Sequence, residues 1–257
     1  MDNPLDFSGR TVLVTGGGKG VGRGISERFL AAGAQVLICG RSRPETLPRS
    51  AGREAVYTPC DVRDYAQIEA CVEFAMQRFG RLDVLVNTAG GAPRVDAAIA
   101  SPRFSEAIIH LNLLAPLNFS QVANRVMQQQ EEGGCIINIA SVSTLRPSPG
   151  TAAYGAAKAG LVNLGTSLAV EWAPRVRVNA VTVGLTRTEQ AHLHYGDEAG
   201  VAAVASTIPL GRMALPGDVG DACLFLASPL ASYVSGTSFA VHGGGEKPAF
   251  LDAANAS

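Results

Sequence analysis

The chain has 257 residues, of which 47% are hydrophobic and 17% charged, and its formal net charge is -1. That length suits one large α/β domain, and the near-neutral balance argues against a nucleic-acid backbone or an anionic membrane surface as partner. The opening MDNPLDFSGR has neither the basic nor the apolar character of a leader, and no apolar run nears the ~20 residues of a membrane span, so a cytoplasmic enzyme acting on small molecules is expected.

The first short apolar run, residues 11–15, leads directly into Thr15-Gly16-Gly17-Gly18-Lys19-Gly20-Val21-Gly22 and then a predicted helix over 22–32. Strand, glycine turn and helix start together make an anion cradle. Glycine lets the backbone turn sharply towards a pyrophosphate, and the free N–H groups of the helix's first turn meet its charge. The strict G-x-G-x-x-G spacing is absent, and Gly20 after Lys19 excludes a Walker loop, which needs Ser or Thr there. A second predicted strand, 35–39, is followed by Gly40-Arg41-Ser42, with no Asp or Glu where a carboxylate would bind the ribose hydroxyls of NAD. Arg41 and Lys19 suit a 2′-phosphate instead, so NADP(H) is the preferred cofactor and NAD(H) the alternative.

Residues 41–53, with Pro44 and Pro48, read as a loop or broken helix. Further strands are predicted at 55–58, 82–87, 135–140, 177–181 and 238–241, and helices at 64–79, 105–130, 151–172 and 218–227. The strand segments are short and mostly Val/Ile/Leu-rich, as strands covered on both faces are. Their alternation with helices implies one doubly wound α/β domain over 1–257, of Rossmann type, with about seven parallel strands and helices on both faces. Residues 185–216 are weakly periodic and sit where a substrate lid would be, with a surface insertion as the other reading; 246–257 form a C-terminal tail.

Within the 105–130 helix, Pro116 has no N–H to offer the carbonyl four residues back, which belongs to Asn112; the freed acceptor would hold a water, or the site is only a packing kink. Ser141 follows the 135–140 strand, at a carboxyl end of the sheet, where its hydroxyl could hold a substrate oxygen or merely cap a turn. Tyr154 and Lys158 are spaced i, i+4 and share a helix face. With only three lysines in the chain, a chance Tyr-x-x-x-Lys is disfavoured. An adjacent ammonium favours phenolate, which is what a tyrosine needs to serve as a base near neutral pH.

The 151–172 helix is apolar around most of its circumference, more than one sheet contact can bury, so a homo-oligomeric interface is expected. The five cysteines are scattered and form no Cys-x-x-Cys pair, which predicts buried reduced thiols and no metal site. His192 and His194 lack an arranged carboxylate or thiol partner and read as lid or surface residues.

In their order and spacing, the Thr15 to Gly22 turn, Asp61-Val62, Asn87-x-Ala89-Gly90, Asn112, Ser141 and Tyr154 with Lys158 resemble the short-chain dehydrogenase/reductase family, from about Gly9 to Gly245. The resemblance implies Tyr154 as general acid/base, Ser141 steadying the substrate oxygen, Lys158 binding the ribose and lowering the tyrosine pKa, and Asn112 in a proton relay through water. It further implies that Thr15, Gly16, Gly18, Lys19, Gly20, Val21, Gly22, Arg41, Asp61, Val62, Asn87, Ala89, Gly90, Gly184, Thr186 and Thr188 hold the cofactor, with Asp61 and Val62 at the adenine. Family members of this kind are commonly tetramers. Thr88, Val183 and His242 depart from the usual Asn, Pro and Asp, and Val183 bears on the backbone path near the nicotinamide.

The expected activity is NADP(H)-dependent hydride transfer between a carbonyl and a secondary alcohol. A non-catalytic dinucleotide sensor or scaffold on the same fold is the alternative. The motifs admit oxoacyl thioesters, steroids, sugars and small ketones alike, in either direction.

Overall fold

The structure, a computed structural model, describes residues 3–253; the 254–257 end of the predicted tail lies outside the described residues. The chain opens with β1 (Thr11–Thr15), α1 (Gly20–Ala31) and β2 (Gln35–Gly40). The proline-containing 41–53 segment, read above as a loop or broken helix, carries a small antiparallel pair, β3 (Arg49–Ser50) and β4 (Arg53–Glu54), turning at Ala51 and Gly52, both with positive φ. Then follow β5 (Val56–Pro59), α2 (Tyr65–Phe79), β6 (Val84–Asn87), α3 (Pro102–Ile109), a π-turn at His110–Leu114, α4 (Ala115–Met127) and β7 (Gly134–Ser141). The chain continues through α5 (Ala152–Glu171), β8 (Val176–Val183), α6 (His192–Tyr195), α7 (Glu198–Ser206), α8 (Pro216–Ala227), β9 (Ser238–Val241) and α9 (Ala249–Ala253).

Seven parallel strands form one sheet in the order β5-β2-β1-β6-β7-β8-β9. Alternating side chains divide each strand between two cores, as the two-residue strand period requires. Val12, Val14, Val36, Ile38, Val84 and Val86 join α1 and α8 on one face, whereas Leu13, Leu37 and Leu85 join α2, α4 and α5 on the other. Local chemistry sets the helix ends. Asp64 caps α2 by accepting the N–H of Ala66 at 3.0 Å and of Gln67 at 3.3 Å, a contact of about 1 kcal/mol, and Gly80 at φ 77° ends it in the left-handed region.

Two expectations change. The predicted 105–130 helix starts earlier, at Pro102, ends at Met127, and is broken by a turn of π register, with Ala115 N–H donating to His110 O. In that wide register the donor missing at Pro116 falls opposite Leu111 as much as Asn112, so the kink does not single out the Asn112 carbonyl. At the other departure, Val183 keeps an N–H that proline would lack; β8 runs through Val183 opposite Val241, and Gly184 N–H donates to Val241 O at 2.9 Å.

Candidate active site

The carboxyl ends of β1, β2, β6, β7 and β8 open into a cleft of about 770 Å³, the topological position where doubly wound sheets bind ligands. Its floor is the glycine turn. Gly16 has φ 65°, and a Cβ on Gly22 would lie 2.4 Å from Gly16 O, so no larger residue fits this tight strand-to-helix passage. At the start of α1, Gly20 N–H donates to Glu189 Oε1 at 2.9 Å. A carboxylate thus already occupies the anion position of the helix start, which shows that this end accepts a phosphate-like oxygen.

At the second end of the cleft stand Arg41, Ser42, Pro44 and Tyr57. Arg41 and Lys19 are exposed and form no ion pair among the described residues. Asp61 differs: Arg63 grips its carboxylate at 2.6 and 3.0 Å and draws its pKa down to about 2.

The reactive wall comes from β7 and α5. Ser141, the last residue of β7, lies beside Tyr154, while Lys158 is fully buried one turn further along α5. Lys158 Nζ donates to Ile139 O at 2.7 Å and stands 5.7 Å from the centre of the Tyr154 ring. Burial lowers the Lys158 pKa to about 8. Burial also raises that of Tyr154, with the Ser141 hydroxyl opposing the rise and Tyr195 adding to it. The Lys158 ammonium itself is directed at a backbone carbonyl.

Ser141 is held in a row of hydroxyls. Its Oγ accepts from Ser143 N–H and donates to Ser143 Oγ, each at 3.2 Å; Ser148 Oγ meets Ser143 Oγ at 3.2 Å and Thr151 Oγ1 at 2.6 Å. Asn112, wholly buried in the π-turn, accepts Gly91 N–H at 2.9 Å and donates to Gly91 O at 3.0 Å and Ile108 O at 2.9 Å. A Cβ on Gly90 would sit 2.6 Å from Asn112 Oδ1 and 3.3 Å from Lys158 Nζ, so Gly90, Asn112 and Lys158 converge on one point.

Gly16, Gly18, Lys19, Gly20, Val21, Gly22, Arg41, Ala89, Gly90, Ser141, Tyr154, Lys158, Gly184, Thr186 and Thr188 line the cleft as the motifs suggested. Thr15, Asp61, Val62, Asn87 and Asn112 are not among the residues that line it. Thr15 Oγ1 accepts the N–H groups of Thr88 at 2.9 Å and Ala89 at 3.0 Å, and Asn87 Nδ2 is committed to Asn138 Oδ1 at 2.9 Å and Ser120 Oγ at 3.0 Å. These two shape the wall without facing a ligand. Sequence reasoning missed Glu189 and Tyr57, both in the lining, which His194, read as a lid or surface residue, joins. The only signal for Glu189 was its place next to Thr188.

The dinucleotide fits the residues present: a glycine passage that tolerates no Cβ, a helix start holding an anionic oxygen, and two exposed cations that form no ion pair among the described residues. The family profile described as Enoyl-(Acyl carrier protein) reductase matches residues 16–246. The chain is 35% identical to the 3alpha-hydroxysteroid dehydrogenase of Mediterraneibacter gnavus, over 91% of this chain and 96% of that one. It is 32% identical to the 2-dehydro-3-deoxy-D-gluconate 5-dehydrogenase of Dickeya dadantii, over 94% and 97%. The ligand-free structure of Thermoplasma acidophilum aldohexose dehydrogenase superposes with a TM-score of 0.86 at 29% identity, covering 98% of this chain and 97% of that one.

Proposed function

The chain belongs to the short-chain dehydrogenase/reductase family, and on that premise we propose that it interconverts a ketone and a secondary alcohol with NADP(H), Tyr154 carrying the proton. It is an NAD(P)(H)-dependent oxidoreductase acting on hydroxyl or carbonyl groups. What supports the finer reading is the convergence of Ser141, Tyr154 and Lys158 with the glycine turn on a single cleft.

The bound dinucleotide supplies or takes up the hydride. Tyr154, a phenol protonated at neutral pH whose pKa burial raises further, donates to the carbonyl oxygen during reduction and takes that proton back during oxidation. The Ser141 hydroxyl turns from Ser143 towards the same oxygen and fixes its distance from Tyr154. Lys158, anchored on Ile139 O, keeps further N–H groups for the ribose hydroxyls and electrostatically favours the phenolate as it forms. Asn112 acts by clamping Gly91, so that the wall beside Lys158 keeps its shape. Thr15, Asn87, Asp61 and Val62 support the cofactor wall from behind, and residues 185–216, folded around Val201, Ile208 and Met213, act as the lid.

The choice of NADP(H) rests on Arg41 and Lys19, both exposed and in no ion pair among the described residues. The exposed side of α5, including Ala152, Ala156, Ala159 and Val170, offers the apolar face for homo-oligomer formation. The test is turnover with NADPH and NADH over hydroxysteroids, sugar acids, oxoacyl thioesters and small ketones, repeated in Arg41→Ala. Turnover with the loss of NADP preference in the variant supports the proposal. Tight dinucleotide binding without turnover across the panel overturns it in favour of a sensor, and an unchanged preference in Arg41→Ala overturns the cofactor choice.

A further inference from the structure

Three cysteines far apart in sequence meet beneath the outer end of the cleft. Cys39 lies in β2, Cys60 follows β5, and Cys71 lies on the sheet-facing side of α2 beside Ile68 and Val72. The pairing of β2 with β5 continues as Cys60 N–H donates to Gly40 O at 3.0 Å, which fixes the first two side by side. The three Sγ atoms lie within 4.8 Å of one another, every one buried, and none is in a disulfide. Cys135 and Cys223, also buried, belong to the core on the opposite face of the sheet.

We propose that Cys39, Cys60 and Cys71 form a three-coordinate binding site for a trivalent thiophilic centre of the arsenite class. Three sulfurs on a pyramidal centre at bond lengths of about 2.3 Å stand about 3.5 Å apart, so the trio closes by shifts of under about an ångström. Zinc prefers a fourth ligand, and no further Cys, His, Asp or Glu joins the group among the described residues. Charge selects the trivalent centre. Three thiolates around a monovalent or divalent ion leave net negative charge in an apolar core. Arsenous acid and three thiols are neutral, and so is their product. Three As–O bonds break, three As–S bonds form, each thiol proton leaves with a hydroxide as water, and no atom changes oxidation state. Cys39 itself lines the dinucleotide end of the cleft beside Gly40 and Arg41, and Cys60 borders Asp61, so the site adjoins that end without using any catalytic group.

The test is sodium arsenite with the reduced full-length protein, read by native mass spectrometry and arsenic X-ray absorption. One arsenic per chain, a mass gain of one arsenic less three protons, and three sulfur neighbours with no oxygen are expected. Cys135→Ala/Cys223→Ala keeps the arsenic, and Cys39→Ala, Cys60→Ala and Cys71→Ala each lose it while their circular dichroism persists and, in Cys60→Ala and Cys71→Ala, dinucleotide binding as well. No retention by the wild-type protein, two-sulfur coordination, or retention in any of the three single variants overturns the proposal. The wild-type absorption spectrum decides even if a variant fails to fold. Zinc binding tightly where arsenite does not overturns it as well.

Discussion

The two ends of the sheet treat polar groups in contrasting ways. At the amino end, Asp83 is buried and accepts Thr11 N–H at 2.8 Å while Arg81 reaches it at 2.6 Å and Arg10 at 3.1 Å; both arginines also pair with Glu132. Gln130 adds two more bonds, to the N–H and C=O of Leu82, at 2.8 and 2.9 Å. At the carboxyl end, Arg41 and Lys19 are exposed and in no ion pair among the described residues, and a helix-start N–H is met by a side chain from the 185–216 segment. One end is cross-linked to itself and holds the strands in register. The other keeps its charges and donors for a ligand, and its position on rigid strands is what makes short loops accurate enough for chemistry.

The sharpest way to separate the two ends is Tyr154→Phe. It is expected to lower kcat by about 10³-fold while dinucleotide affinity, from fluorescence titration, stays within about twofold; substantial residual turnover would reject the assignment. Its counterpart is Asp83→Ala, expected to cost roughly 2–4 kcal/mol in urea unfolding while leaving kcat per folded molecule unchanged. A loss of kcat at full folding would show that the amino end is not merely structural.

A third experiment uses pH. The folded Lys158 pKa of about 8 lies below its unfolded value of 10.5, so between those pH values the unfolded chain binds more protons. Burying the ammonium therefore costs most stability below pH 8, and the cost fades as pH rises towards 10.5. Lys158→Met should gain stability over wild type at pH 7, with that gain shrinking by up to about 1.4 kcal/mol per pH unit through the window. A difference independent of pH would mean that Lys158 is not desolvated. The smallest effect is expected from Glu189→Ala. Removing the carboxylate from Gly20 N–H should tighten dinucleotide binding by about two- to fivefold, as one weak competitor for the phosphate position is lost; weaker binding would make Glu189 a ligand contact instead.

Much of this arrangement was legible in the sequence because it depends on neighbours along the chain. β1 and β9 have the predicted bounds, and Tyr154 and Lys158 share a face because i and i+4 do in any helix. Ser141 could be placed at a strand end from the run before it. The π-turn was not legible: Pro116 signals a missing donor, but whether the ladder widens or bends depends on what Asn112 clamps across the cleft. The placement of Asn87, read as cleft lining, was decided by Asn138 and Ser120, which lie 51 and 33 residues away.

The sequence by itself determined the alternation of elements, the glycine passage and the residue types of the reactive wall, since these follow from local periodicity and from what a Cβ excludes. Only the tertiary structure decided which way the titration of that wall is shifted. Burial by distant segments raises the Tyr154 pKa and lowers that of Lys158, a desolvation no local pattern encodes. It also decided that Glu189 reaches Gly20 and that three scattered cysteines share one point, because parallel strands bring residues together through crossovers whose length the sequence spacing conceals.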